Sequence, residues 1–168
     1  MFLCANAMGS GVILSQMRAP EAGAATLQGD SRIVALMREM GLTVRTLGDG
    51  LLACCPSRAG LLPLTVDCGD IPDLAPILAL TCTQASGVST LTAVSRLRVK
   101  ECDRLAATCE LLTKLGATVE ASADGDTLHV TGPTPLQGGF EADAHGDHRM
   151  VMLLATAALI CQAPITVA

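Results

Sequence analysis

The chain has 168 residues, a formal net charge of −5 and 50% hydrophobic residues, yet only two Phe and no Trp or Tyr. That length suits one domain with a real core, filled here by Leu, Val, Ile, Ala and Met. The acidic balance and the scarcity of stacking aromatics argue against nucleic acid as a partner. The longest apolar run, 150–161, falls short of the roughly 20 residues a membrane span needs.

The chain starts with MFLCANAMGSGVILSQ, which reads as an Ala-rich apolar helix feeding a short strand; it has no basic leader, and Met1 falls inside the helix with no cap before it. After a small-residue loop, Ala19 to Ala25, the segment GDSRIVALMREMG carries Ile33, Leu36, Met37 and Met40 on one helical stripe and stops at Gly41. Two strands follow around an Asp49-Gly50 turn. Pro56 to Pro63 is the best linker candidate, but it is short and lies between strands, so 1–168 reads as a single unit without an internal boundary.

A second apolar helix and strand, DLAPILALTCTQASGVSTLTAV, lead to CDRLAATCELLTKLGATVEASADGDTLHV. There Leu105, Cys109, Leu112 and Leu115 form the stripe, Gly116 the stop and Asp124-Gly125 the turn. The third apolar helix, RMVMLLATAALICQAPITVA, ends on a strand at Ala168. The same elements thus recur about 75 residues apart, which predicts an α/β (α+β) chain of repeated βαβαββ units, incomplete at both ends. Helices apolar all round are expected to be buried on all sides, side by side within layers of sheet.

The eight cysteines (4, 54, 55, 68, 82, 102, 109, 161) show no CxxC pair and no His at zinc-ligand spacing. That argues against a metal cluster or disulfide framework and for a reduced, cytoplasmic protein.

The chemistry is concentrated in RVKECDRL, 98–105: with Arg96, it places four of the eleven basic residues between Arg96 and Arg104. Asp73, the Lys100–Arg104 cluster and Asp147-His148-Arg149 each fall at a predicted helix start, with Gln28-Gly29-Asp30 at a fourth. They should therefore meet on one face, where free N–H groups and arginine forks suit phosphate and carboxylate ligands. Simpler roles compete with this reading. Asp73 and Asp103 could be plain helix caps, Lys100, Glu101 and Arg104 a solvated helix start with a surface pair, Arg149 an exposed helix start, and His148 a hydrogen-bonded structural histidine. Three basic groups beside a carboxylate would hold an anionic substrate next to an acid/base group, as transfer chemistry on a phosphorylated compound requires.

The motifs IPDLAPILA, LRVKECDRL, LGATVE and GDHRMVM, in this order and spacing, resemble the C-terminal half of the 3-phosphoshikimate 1-carboxyvinyltransferase (EPSP synthase) family over essentially the whole chain. The resemblance implies one lobe of the two-lobed enolpyruvyl transferase fold. It also implies a reaction in which the 5-hydroxyl of shikimate 3-phosphate adds to C2 of phosphoenolpyruvate, C3 is protonated, and phosphate then leaves, without metal or organic cofactor. It assigns Asp73 and Glu101 to proton transfer, Arg104 and Arg149 to phosphoenolpyruvate and Lys100 to shikimate 3-phosphate. Arg96 counts with the substrate-binding residues, and Asp103, Asp147 and His148 support them. Arg96 stands where some members have Asn, and Cys102 where Ser or Thr is usual. The family's other lobe and its C-terminal lysine segment have no counterpart in 1–168, so the chain alone is expected to be inactive or very weak. A non-catalytic remnant or anion-binding module of the same fold is the alternative. An RNA 3′-phosphate cyclase-like protein, which shares related units, is disfavoured by the Lys-Glu-x-Asp-Arg run.

Overall fold

A computed structural model describes residues 1–9, 29–47, 51–55 and 60–168. The Ala19 to Ala25 loop, Gln28, the Asp49-Gly50 turn and positions 56–59 of the linker candidate lie outside the described residues.

The elements run α1 (Phe2–Ala7), a 3-10 turn (Gly29–Arg32), α2 (Ile33–Glu39), β1 (Thr43–Leu47), β2 (Leu51–Cys55), β3 (Thr65–Asp67), α3 (Ala75–Cys82) and β4 (Gly87–Thr92). A second 3-10 turn (Ser95–Val99), α4 (Arg104–Lys114), β5 (Thr118–Ala121), β6 (Thr127–Gly132), β7 (Glu141–Ala142), α5 (His148–Ala157) and β8 (Thr166–Val167) complete the order. Among the described residues one full βαβαββ unit is present, β3 to β6, as a four-stranded sheet ordered β3-β4-β6-β5. β3 runs parallel to β4, and the β4–β6 and β5–β6 pairs are antiparallel. The flanking pieces are parts of the same unit: α2 with the antiparallel β1–β2 pair repeats α4 with β5–β6, and β7-α5-β8, a parallel crossover, repeats β3-α3-β4.

Sequence explains these elements locally. α2 and α4 end alike: the Leu42 and Ala117 amides donate to the Met37 and Leu112 carbonyls, at 3.0 and 2.9 Å, and Gly41 and Gly116 take φ of 86° and 90°. This glycine stop satisfies the last carbonyls, and its backbone geometry disfavours a side chain. Asp124-Gly125 lies in the β5–β6 hairpin, where the Gly125 amide donates to the Ser122 carbonyl at 2.8 Å. Alternation on β4 and β6 turns Ser89, Leu91, Leu128 and Val130 into the core.

α3 is buried along its whole length and touches α1, α4, α5, β4 and β6, as its all-apolar sequence predicts. Its buried hydroxyls are satisfied internally: Thr81 Oγ1 donates to the Ile77 carbonyl at 2.8 Å, and one repeat later Thr156 Oγ1 donates to the Met152 carbonyl at the same distance. α5 departs from the expectation of burial on all sides. Val151, Ala155 and Leu159 are exposed while Met150, Leu153, Leu154 and Ala157 are buried, so its stripe is one-sided. No described helix is long and apolar enough to cross a membrane.

Candidate active site

The starts of α3, α4 and α5 do converge, and the residue that joins them is Arg104, the first residue of α4. Its side chain is only 2% exposed. Nε donates to Asp147 Oδ2 at 2.7 Å, Nη1 to Asp73 Oδ1 at 2.8 Å, and Nη2 to Glu101 Oε2 at 2.6 Å and Asp147 Oδ1 at 3.3 Å. One guanidinium thus makes four bonds to three carboxylates from three segments, which its planar fork of five donors permits and the three donors of an ammonium would not. Burial opposes its charge, but Asp147, Glu101 and Asp73 outweigh that and raise its pKa above the ordinary value.

Asp73 is the meeting point of the cations. Arg149 Nη2 donates to its Oδ2 at 2.9 Å, and Lys100 Nζ lies 3.6 Å from its Oδ1, the oxygen that Arg104 also binds. Partial burial works to raise the Asp73 carboxyl, but Arg149, Lys100 and Arg104 together hold it below its ordinary value. A helix cap it is not. The cap position of α3 is Leu74, which makes no side-chain capping bond, and Pro76 in the first turn removes one amide that a cap would serve. The carboxylate is therefore free to face the cations.

The remaining residues sort by their contacts. Asp103 is the cap of α4, accepting from the Ala106 amide at 2.9 Å, as the simpler reading of its sequence position holds. Asp147 caps α5 through the Arg149 amide at 2.7 Å and is also the bidentate partner of Arg104; its side chain is 0% exposed. Buried, its carboxyl is pushed upward, but the Arg104 bond and the Arg149 amide bring it below the ordinary value. A solvated helix start with a surface pair is ruled out for Arg104, whose bond to Glu101 spans three residues and is sealed from water on the arginine side.

Two of the sequence-based candidates stand at the edge of the ion-pair cluster. Arg96 does not join the cluster: it lies exposed on the turn before α4 and donates from Nη1 to the Gly69 carbonyl at 3.0 Å, because Ser95–Val99 carries it toward the β3–α3 connection. His148 is 63% exposed, 3.6 Å from Asp147 Oδ1 through Nδ1, so its imidazole faces outward at the site's rim. The fourth helix start packs against the β3–α3 connection: an added Cβ on Gly29 would stand 2.7 Å from the Asp70 carbonyl, and Arg32 donates to the Asp67 carbonyl at 3.0 Å. A contact not anticipated from sequence is Cys102, whose Sγ lies 3.6 Å from Asp147 Oδ2. A small cavity of about 20 Å³, lined by Asp73, Arg149, Met1, Ile77 and Met152, adjoins the cluster, and the buried Arg149 Nε has no bonding partner.

Parallel crossovers against a mixed sheet, with charged groups gathered at the helix starts, go with a match to the enolpyruvyl transferase fold. A solved structure of EPSP synthase from Acinetobacter baumannii matches at a TM-score of 0.74 with 25% identity, covering 99% of this chain and 39% of that one. The enolpyruvyl transferase NikO from Streptomyces tendae matches at 0.70 with 22% identity, covering 99% and 36%. The model of the EPSP synthase (3-phosphoshikimate 1-carboxyvinyltransferase) family matches residues 1–168, and the chain belongs to that family. Among relatives named 3-phosphoshikimate 1-carboxyvinyltransferase, the one from Ralstonia pickettii is 39% identical over 162 residues, 94% of this chain. The one from Clostridium botulinum is 34% identical over 164 residues, 98% of the chain. In each case the chain spans 36% of the relative's length.

Proposed function

We propose that this chain is one partial lobe of a 3-phosphoshikimate 1-carboxyvinyltransferase, without an internal domain boundary, that works against a second lobe to transfer the enolpyruvyl group of phosphoenolpyruvate to the 5-hydroxyl of shikimate 3-phosphate. The observation that carries the reading is the Asp73 carboxylate held among Arg149, Arg104 and Lys100, with Glu101 bonded to the same arginine. Two carboxylates with different surroundings beside three cations are what proton transfer on a bound polyanion requires. In this proposal Arg149, Arg104 and Lys100 bind the phosphate and carboxylate groups, and Arg96 and His148 lie outside that set. An arriving anion competes with Asp73 for the same cations, which frees the carboxylate to accept the 5-hydroxyl proton as the C–O bond to C2 forms. Glu101, whose side chain is 54% exposed, delivers a proton to C3 and takes one back when phosphate leaves. The free thiols of Cys4, Cys68, Cys82, Cys102, Cys109 and Cys161 fit a reducing, cytoplasmic setting.

The test is phosphate release from phosphoenolpyruvate that depends on shikimate 3-phosphate, measured with the chain alone and with a complementing first lobe. Turnover should need both lobes. Glu101→Gln should abolish turnover in the complemented enzyme with little change in substrate affinity, and unchanged turnover removes Glu101 from this role.

A further inference from the structure

We infer that Cys102 is a positioning residue: its S–H group completes the hydrogen bonding of the buried Asp147 carboxylate and thereby fixes the direction in which the Arg104 guanidinium presents its Nη1 and Nη2 groups. This role stands apart from the proposed transfer chemistry, because it concerns the geometry of the side-chain cluster itself.

Asp147 lies wholly out of solvent, so each of its acceptor positions needs a donor from the protein. Oδ1 takes the Arg149 amide at 2.7 Å and Arg104 Nη2 at 3.3 Å; Oδ2 takes Arg104 Nε at 2.7 Å and the Cys102 thiol at 3.6 Å, an ordinary separation for a bond from sulfur. A carboxylate offers about four such positions, and the thiol fills the last of them. Cys102 precedes the cap residue of α4 while Asp147 is the cap residue of α5, so the contact also ties the two helix starts together. Burial, followed by the neighbouring Asp147 charge, raises the Cys102 thiol above its ordinary pKa, which keeps it a protonated donor at neutral pH.

Removal of that donor leaves Oδ2 held by Arg104 Nε alone. Three bonds in place of four then fix the rotation of the carboxylate about its Cβ–Cγ bond, and the guanidinium bonded to it is held less tightly. Nη1 and Nη2, which contact Asp73 and Glu101, shift with it. A polar donor at 102 therefore matters more than side-chain volume.

The experiment follows the Arg104 Nε proton by NMR in the chain without any substrate, measuring its exchange with water in Cys102→Val and Cys102→Thr, a pair of nearly equal shape that differ in a hydroxyl. Exchange in Cys102→Val should be about tenfold faster than in the parent, the scale of one lost bond to a charged group, and Cys102→Thr should restore the parent rate. Equal rates in Cys102→Val and the parent overturn the inference, and so do equally fast rates in both variants, which would make the effect one of packing. Cys102→Ala and Cys102→Ser repeat the contrast in smaller side chains should β-branching disturb the turn. Because no substrate is present, failure here leaves the proposed reaction untouched, and failure of phosphate release leaves this result standing.

Discussion

α3 and α5 occupy the same place in successive repeats, each crossing between parallel strands, each with a back-bonded threonine, yet their first turns use an aspartate in opposite ways. Asp147 is the cap of α5 and is saturated by the Arg149 amide, Arg104 and Cys102. Asp73 stands one residue ahead of the cap of α3, is 34% exposed on its side chain, and spends nothing on the helix. A carboxylate consumed by its own helix holds a structure together; one that its helix does not need remains available for chemistry. Arg104 joins them, and its two faces divide the site into a buried anchor and an open edge.

The largest effect that can break this comparison comes from the anchor. Asp147→Ala removes the bidentate partner of an arginine 2% exposed and should cost about 3–5 kcal/mol in urea unfolding, whereas Asp73→Asn should cost about 1 kcal/mol or less. Equal costs would show that Asp73 is structural after all.

Acid sharpens the same contrast. Both Asp73 and Asp147 have pKa values lowered in the folded state, so the unfolded chain binds protons more readily and each carboxylate contributes stability above about pH 4, lost as pH falls through its folded value. Thermal melts from pH 6 down to pH 2 should therefore show a steep fall that Asp73→Asn makes shallower. A curve that is flat below pH 4 in the parent would deny that these carboxylates are held ionised.

The smallest effect concerns the third aspartate. Asp103 caps α4 without touching the guanidinium, so Asp103→Ala should lower stability by about 1 kcal/mol and leave the Arg104 Nε proton as slowly exchanging as in the parent. Faster Nε exchange in that variant would mean that the α4 cap, and not Asp147, sets the arginine's position.

Much of the architecture was legible in the residues. The helical stripes of α2 and α4, the stops at Gly41 and Gly116, and the Asp124-Gly125 turn follow from local rules that the backbone obeys wherever such residues stand. The convergence of three helix starts was legible as well, because the repeat places every such start at the same end of its unit. The one-sided burial of α5 was not, since an Ala-rich helix shows the same composition on its covered and uncovered faces. Nor was the fate of Arg96: its distance from Arg104 along the chain is short, but the 3-10 turn at Ser95–Val99 sends it to the Gly69 carbonyl.

The sequence by itself determined most of the described elements, the repeat and the convergence of three helix starts, because hydrophobic period, glycine stops and turn residues act over a few positions. Only the tertiary structure decided that Arg104 is a buried centre, that Asp147 and Asp103 are caps while Asp73 is not, and that Cys102 closes the shell around Asp147. The Asp103 cap is local, but the other distinctions depend on contacts tens of residues apart, such as the Arg104–Asp147 bond across 43 positions and the Arg104–Asp73 bond across 31, and no local rule reaches that far.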